Sequence, residues 1–201
     1  MGHKDNRAAR TAKIVTLLLA ALSVAGASDV AGVELKGKAR RGKKAEASAV
    51  VWLEAPNAPA TAGKQKAVLS QHNLTFDPHV LAIRVGTTVD FPNDDRVFHN
   101  VFSFHDGKKF DLGTYPVGSM KRVVFSKEGV SRIFCNIHPH MAGYVVAVDS
   151  PYFSAVEEDG SYTIPSVPPG KYTYHVWRPS GPMLTGTTEV GPDAVLNVSW
   201  P

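Results

Sequence analysis

Short runs of β-branched and aromatic residues, broken every few positions by Gly, Pro, Asn or Asp, make up the chain beyond Val33. None of them keeps a 3.6-residue period, so the pattern excludes a helical bundle and leaves sheets. Val33 to Gly37 alternates, and Ala49 to Glu54 is a strongly apolar run. Leu81, Ile83 and Val85 share one face of a strand, which Gly86-Thr87 interrupts before Val89 and Phe91. Lys121 to Phe125, Val130 to Cys135, Gly143 to Val148 and Tyr172 to Trp177 are runs of the same kind. Asp159-Gly160 has the chemistry of a hairpin turn, and Pro168-Pro169-Gly170 that of a second turn. The expected fold is all-β with two sandwich or barrel cores.

The first 27 residues read as an export signal. Lys4, Arg7, Arg10 and Lys13 precede an uncharged stretch from Ile14 to Ala27 centred on Leu17, Leu18, Leu19 and Leu22, and Ala25-Gly26-Ala27 offers a cleavage site. The alternative is an uncleaved anchor, for which about fourteen residues are short. Cleavage removes four basic residues and Asp5, so the formal charge of +4 falls to +1. Nucleic-acid binding then loses its electrostatic support, and no integral membrane segment is expected in the mature chain. The expected location is the periplasm or the cell exterior. A lone thiol in that oxidising space has to be buried or bound to something, and Cys135 is the single cysteine. Ala55 to Lys66, rich in Pro, Ala and Gly, reads as a linker, and Asp149 to Tyr152 as a second boundary. The outer pieces are small alone and are expected to make one seven-stranded sandwich together.

The chemistry concentrates around that thiol. Cys135, His138 and Met141 follow the spacing C-x2-H-x2-M, and His99 lies upstream in Asp94-Asp95-Arg96-Val97-Phe98-His99-Asn100. One thiolate, two imidazoles and a thioether suit copper in both oxidation states, and a His2Cys plane with a weak Met is the donor set of a blue-copper electron-transfer site. A structural cysteine is the plainer reading of Cys135 alone; His138 and Met141 beside it argue against that. Cys135 with His138 as nucleophile and base is poorly placed three residues apart on a tight loop, and it leaves Met141 without a purpose. The protein is therefore expected not to be an enzyme.

Cys135-Asn-Ile-His-Pro-His-Met141 resembles the ligand loop of amicyanin-like cupredoxins. Phe76 to Phe104, with its Phe-x-Pro, Gly-Thr, Val-x-Phe, acidic turn and His-Asn, and Phe110 to Tyr115 are similar to the same family. The resemblance implies a Greek-key β-barrel over 65–149 holding one mononuclear type 1 copper. His99, Cys135 and His138 would be the equatorial ligands and Met141 the axial one. It implies that Asn100 ties the two ligand loops together; the bland alternative is a turn Asn. It further implies electron exit through His138, with Pro139, His140 and Phe98 around it as the docking patch for a redox partner. His140 departs from the family pattern. It reads first as a solvated loop residue, and otherwise as a polar element of the patch or a competitor for the axial position. His72, His79, His105 and His175 have no ligand spacing and read as surface or edge-strand residues. A copper nitrite reductase needs three further His ligands that the spacing does not offer.

The outer segments, 28–64 and 150–201, resemble a smaller sandwich of the carboxypeptidase-regulatory-like or transthyretin-like type. Asp159-Gly-Ser-Tyr162, Pro168-Pro-Gly-Lys-Tyr172, Gly32 to Leu35 and Ala49 to Leu53 carry that likeness. The combined arrangement is similar to a group of bacterial exported proteins named for methylamine utilization. Trp52, Trp177 and Trp200 are expected in or near the second core, with a glycan platform as the alternative. Six cations between Lys36 and Lys44 read as a solvated hairpin turn, or as a docking patch for an acidic partner or surface. Two further functions compete with electron transfer. One is copper handling through the same ligands; the other is ligand binding by the sandwich.

Overall fold

The computed structural model describes Met1 and residues 32–55, 65–104 and 106–201. The expected export signal, most of the linker and His105 lie outside the described residues. Eighteen strands occur among the described residues, with no helix long and apolar enough to cross a membrane. They are β1 (Val33–Arg41), β2 (Lys44–Ala45), β3 (Val50–Leu53), β4 (Lys66–Val68), β5 (Ser70–His72), β6 (Thr75–Asp77), β7 (Val80–Arg84), β8 (Thr88–Pro92) and β9 (His99–Ser103). There follow β10 (Phe110–Tyr115), β11 (Met120–Val124), β12 (Gly129–Phe134), β13 (Ala142–Val148), β14 (Phe153–Ala155), β15 (Ser161–Val167), β16 (Gly170–Trp177), β17 (Leu184–Val190) and β18 (Val198–Trp200). The all-β expectation holds.

The strands sort into two sandwiches. In the first, a sheet of order β10-β9-β12-β13-β7 faces a sheet of order β11-β8-β4, with the β5–β6 hairpin at one end. Phe91, Phe125, Ile133, Val101 and Val145 fill the space between, together with Cys135 and Met141. In the second, β15-β1-β18, with β2 paired to β1, faces β14-β3-β16-β17 around Leu35, Leu53, Ile164, Val176 and Trp200. Strands before the linker thus pair with strands after Val148: β1 with β15 and β18, β3 with β14 and β16. This sandwich has eight strands rather than seven, because the two-residue β2 folds back on the end of β1. The six cations lie exposed along β1 and around the Gly42-Lys43 turn of that hairpin, where Gly42 takes a positive φ of 57° that glycine adopts freely.

Two apolar runs in the sequence lack alternation for a definite reason. On β3, Val51 and Leu53 point into the second core, while Val50 and Trp52 join a third cluster. On β13, Val145 and Ala147 point into the first core, while Val146 and Val148 join that same third cluster. Both strands are covered on both faces, which yields continuous apolar runs. The third cluster, with Val80, Ala82, Val130, Phe153 and Trp177, is where the two sandwiches dock. Trp200 lies in the second core as expected. Trp52 and Trp177 lie in this junction instead, on the outer face of their sheet.

The turn signals mark reversals but not partners. Gly160 N–H bonds Glu157 O at 2.9 Å and Glu157 N–H bonds Ser161 O at 2.9 Å, a tight turn at Asp159-Gly160. Yet β14 before it pairs with β3 and β15 after it pairs with β1, so the turn passes between sheets and is not a hairpin. Pro168-Pro169 likewise carries the chain from β15 to β16 in the opposite sheet.

Val50 and Val146 are 0% and 1% exposed within the docking cluster. Truncating either to Ala is expected to cost about 1–3 kcal/mol. Because both line one junction, the double variant should depart from additivity by about 0.5 kcal/mol or more, read by urea denaturation. Strict additivity with two separate transitions would mean that the sandwiches fold independently.

Candidate metal centre

His99 opens β9 and Cys135 directly follows β12, its neighbour in the five-stranded sheet. Phe134, the last residue of β12, pairs with Phe102 of β9, so sheet pairing brings the two segments to one end of the sandwich. The loop from Cys135 to Met141 closes on itself: Met141 N–H bonds His138 O at 2.9 Å and Cys135 N–H bonds Met141 O at 3.4 Å. This fold-back returns His138 to the thiol. Gly143 just beyond permits the β5–β6 hairpin to pack there, because a Cβ at that position would stand 3.0 Å from Phe76 Cβ.

Three donor atoms form a small triangle. Cys135 Sγ is 3.8 Å from His99 Nδ1 and 3.7 Å from His138 Nδ1, and the two Nδ1 atoms are 3.1 Å apart. The point equidistant from all three lies about 2.1 Å from each. Imidazole nitrogen and thiolate sulfur bind a d-block ion at roughly 2.0–2.3 Å, so the triangle is the right size for one ion. It is the one group of His, Cys, Asp and Glu side chains among the described residues with such convergence. His99 and Cys135 are buried and His138 is partly exposed. Met141 is 1% exposed and lies in the same core as Cys135.

The surroundings prepare these donors. Asp95 Oδ2 lies 3.1 Å from His99 Nε2, and a carboxylate only accepts, so Nε2 carries the proton and Nδ1 keeps its lone pair facing the triangle. Asp95 is itself held by the N–H groups of Leu74 at 2.7 Å and Arg96 at 3.0 Å. These bonds, that from Leu74 foremost, hold its carboxyl below the usual carboxylate range. Loss of solvation, then the neighbouring His99 and His140 imidazoles, push the His138 pKa down, which leaves its ring neutral and able to bind a cation. Asn100 N–H lies 3.5 Å from Cys135 Sγ, its side-chain Oδ1 accepts from Asn136 N–H at 3.4 Å, and its Nδ2 donates to Asp111 Oδ1 at 2.8 Å. Asn100 therefore links the strand carrying His99 to the loop carrying Cys135.

Of the patch residues, Phe98 is 58% exposed, and Pro139 and His140 are exposed beside His138, with the His140 ring centroid 6.3 Å from that of His138. Val97 and Ile137 extend the same surface at 42% and 45% exposure; sequence reading passed over both. His72, His79 and His140 line one groove beside Met141 without converging like the first group. His175 sits in the other sandwich, bonded to Glu54. Sequence reading also missed Asp95, whose signal was an acid four residues before the ligand His. It missed the buried support beneath as well. Asn93 accepts from Asp95 N–H at 3.2 Å and donates to Val97 O at 2.9 Å, and Tyr115 bonds Gln71 and Phe91 O.

No protein-family model matches the chain, and no curated protein matches it at a significant level. Among solved structures, a purple cupredoxin from Nitrosopumilus maritimus is 32% identical over 41% of this chain and 99% of its own, with a TM-score of 0.38. A copper-containing nitrite reductase from Thermus scotoductus SA-01 is 27% identical over 49% of this chain and 25% of its own, with a TM-score of 0.41. A reduced amicyanin variant is 23% identical over 50% of this chain and 99% of its own, with a TM-score of 0.40. These are partial likenesses, and what the site binds rests on its own donors. By its two paired sheets, with the His99–Cys135–His138 group at one end, the first sandwich has a cupredoxin-like fold. Its His–Cys–His group is a donor set that suits one copper ion.

Removing the carboxylate that orients His99, as in Asp95→Ala, is expected to lower metal affinity by about 10–100-fold, read by chelator competition. Unchanged affinity would show that the strand alone fixes the ring.

Proposed function

We propose that this protein is an exported blue copper protein that carries one electron at a time, with a single type 1 site held by His99, Cys135, His138 and Met141. The observation that carries this reading is the triangle of one sulfur and two Nδ1 atoms, sized for one ion and aligned by Asp95 and Asn100. When bound there, copper supplies a Cu(II)/Cu(I) couple. The chain's own contribution is rigidity. Strands β9 and β12 and the fold-back of the 135–141 loop fix the donors, so little has to move when the charge changes. Burial of His99, Cys135 and Met141 keeps bulk water from that side. Met141, buried in the core with Cys135, is favoured over exposed His140 as the fourth donor.

His138 is the ligand that reaches the surface. Phe98, Pro139 and His140, extended by Val97 and Ile137, make the mainly apolar patch where a redox partner docks. The role is that of a carrier in the periplasm or outside the cell, not that of an enzyme, and neither nucleic acid nor an integral membrane segment takes part. The outer strands form the second sandwich of the regulatory-like type.

A second reading, copper handling without electron traffic, is favoured by one observation. Three imidazoles, His72, His79 and His140, line a groove against Met141 and would serve to pass copper inward.

The test is the optical and EPR spectrum of the copper-loaded protein. An intense visible thiolate-to-copper band, reversible reduction and loss of both in Cys135→Ser are expected. Met141→Gln, which replaces a soft donor by a harder one, should lower the reduction potential by about 60 mV or more, a tenfold shift toward Cu(II). A loaded protein that stays colourless and cannot be reduced reversibly would overturn electron transfer and leave the handling reading.

A further inference from the structure

Where the two sandwiches meet, at the end of β12 and β13 away from Cys135, there is a cleft of about 630 Å³. That volume lies within the range of small-molecule sites. Its lining includes the indoles of Trp52 and Trp177 and the carboxylates of Glu54, Glu128 and Asp149, and, among the described residues, no lysine or arginine. Both rings are braced. Trp52 stacks on His175 at 5.2 Å and 25°, and Trp177 leans on Tyr144 at 5.2 Å and 59°. His175 lies 3.0 Å from Thr185 Oγ1 through Nδ1 and 2.7 Å from Glu54 Oε1 through Nε2. A carboxylate only accepts, so His175 donates its Nε2–H to Glu54. That bond holds the Glu54 carboxyl below its usual range, so its negative charge stays in the cleft.

The ligand class follows from how these groups are spread. A small inorganic cation needs donors that converge, and the one converging group among the described residues is His99, Cys135 and His138. A neutral sugar would use the indoles and bring no counter-charge to the acidic lining. A cation with an apolar shell uses both, because indole faces attract diffuse positive charge and the carboxylates supply the matching field. We propose that this cleft binds an organic ammonium ion carrying alkyl substituents. Gly129 lines the cleft and Cys135 follows the end of the same strand, so at roughly 3.3 Å per residue about 20 Å separate it from the candidate metal centre. The site is independent of the copper reading.

The test titrates the protein with choline and with its neutral isostere 3,3-dimethyl-1-butanol, following indole fluorescence. Trp200, buried in the second core, contributes a constant background. Saturable quenching by choline is expected, with the isostere at least about tenfold weaker. Glu128→Gln with Asp149→Asn, both at exposed positions, should weaken choline about three- to tenfold. Trp177→Leu should weaken it further, and Cys135→Ser should leave it unchanged. Equal binding of choline and the isostere, saturation by a neutral oligosaccharide instead, or no saturation by choline below about 10 mM would overturn the proposal.

Discussion

Two imidazole nitrogens and a thiol sulfur held within 3.8 Å of one another, at one end of a β-sandwich, are the arrangement on which the rest of the molecule turns. Asp95 accepts the Nε2–H of His99, and the two facing Nδ1 atoms, 3.1 Å apart, leave room for one proton between them. A cation at the centre engages both lone pairs and the thiolate at once. Keeping such donors together in the absence of disulfides takes scaffolding, and the chain supplies it. There are two paired strands, an Asn that bonds both ligand segments, and a loop closed by its own backbone.

The second sandwich matters to that scaffolding through β13. This strand pairs with β12, which leads into Cys135, and its outer face, Val146 and Val148, is covered by Val50, Trp52 and Trp177 of the other lobe. Removing the cover would expose an apolar sheet face, so the two lobes stabilise each other. The same junction leaves the aromatic, acidic cleft at its edge. One packing solution thus serves both a rigid metal scaffold and a concave surface.

The ligand loop was legible because its chemistry is local. Cys135, His138 and Met141 lie within seven residues, and a thiol, an imidazole and a thioether so close together suit one soft metal ion. Strands with clear alternation or a strong apolar run, such as β1, β3 and β13, were legible too. Short or polar strands such as β5, β6, β17 and β18 were not, since three residues, or a Thr-rich run like Leu184 to Val190, carry too little periodicity. Asp95 escaped notice because an acid in a turn is ordinary until a ring nitrogen is found against it.

By itself, then, the order of residues determined the all-β class, the places where the chain reverses and the donor types in the 135–141 loop. Each depends on neighbours close in sequence: side-chain alternation, turn chemistry, ligand spacing. Only the tertiary structure decided which strands receive one another across the Asp159-Gly160 and Pro168-Pro169 turns. The same holds for Trp52 and Trp177 lining a junction instead of a core, and for Asp95 orienting His99. These outcomes depend on which surfaces bury the most apolar area against each other, a property of the whole chain that no local window contains.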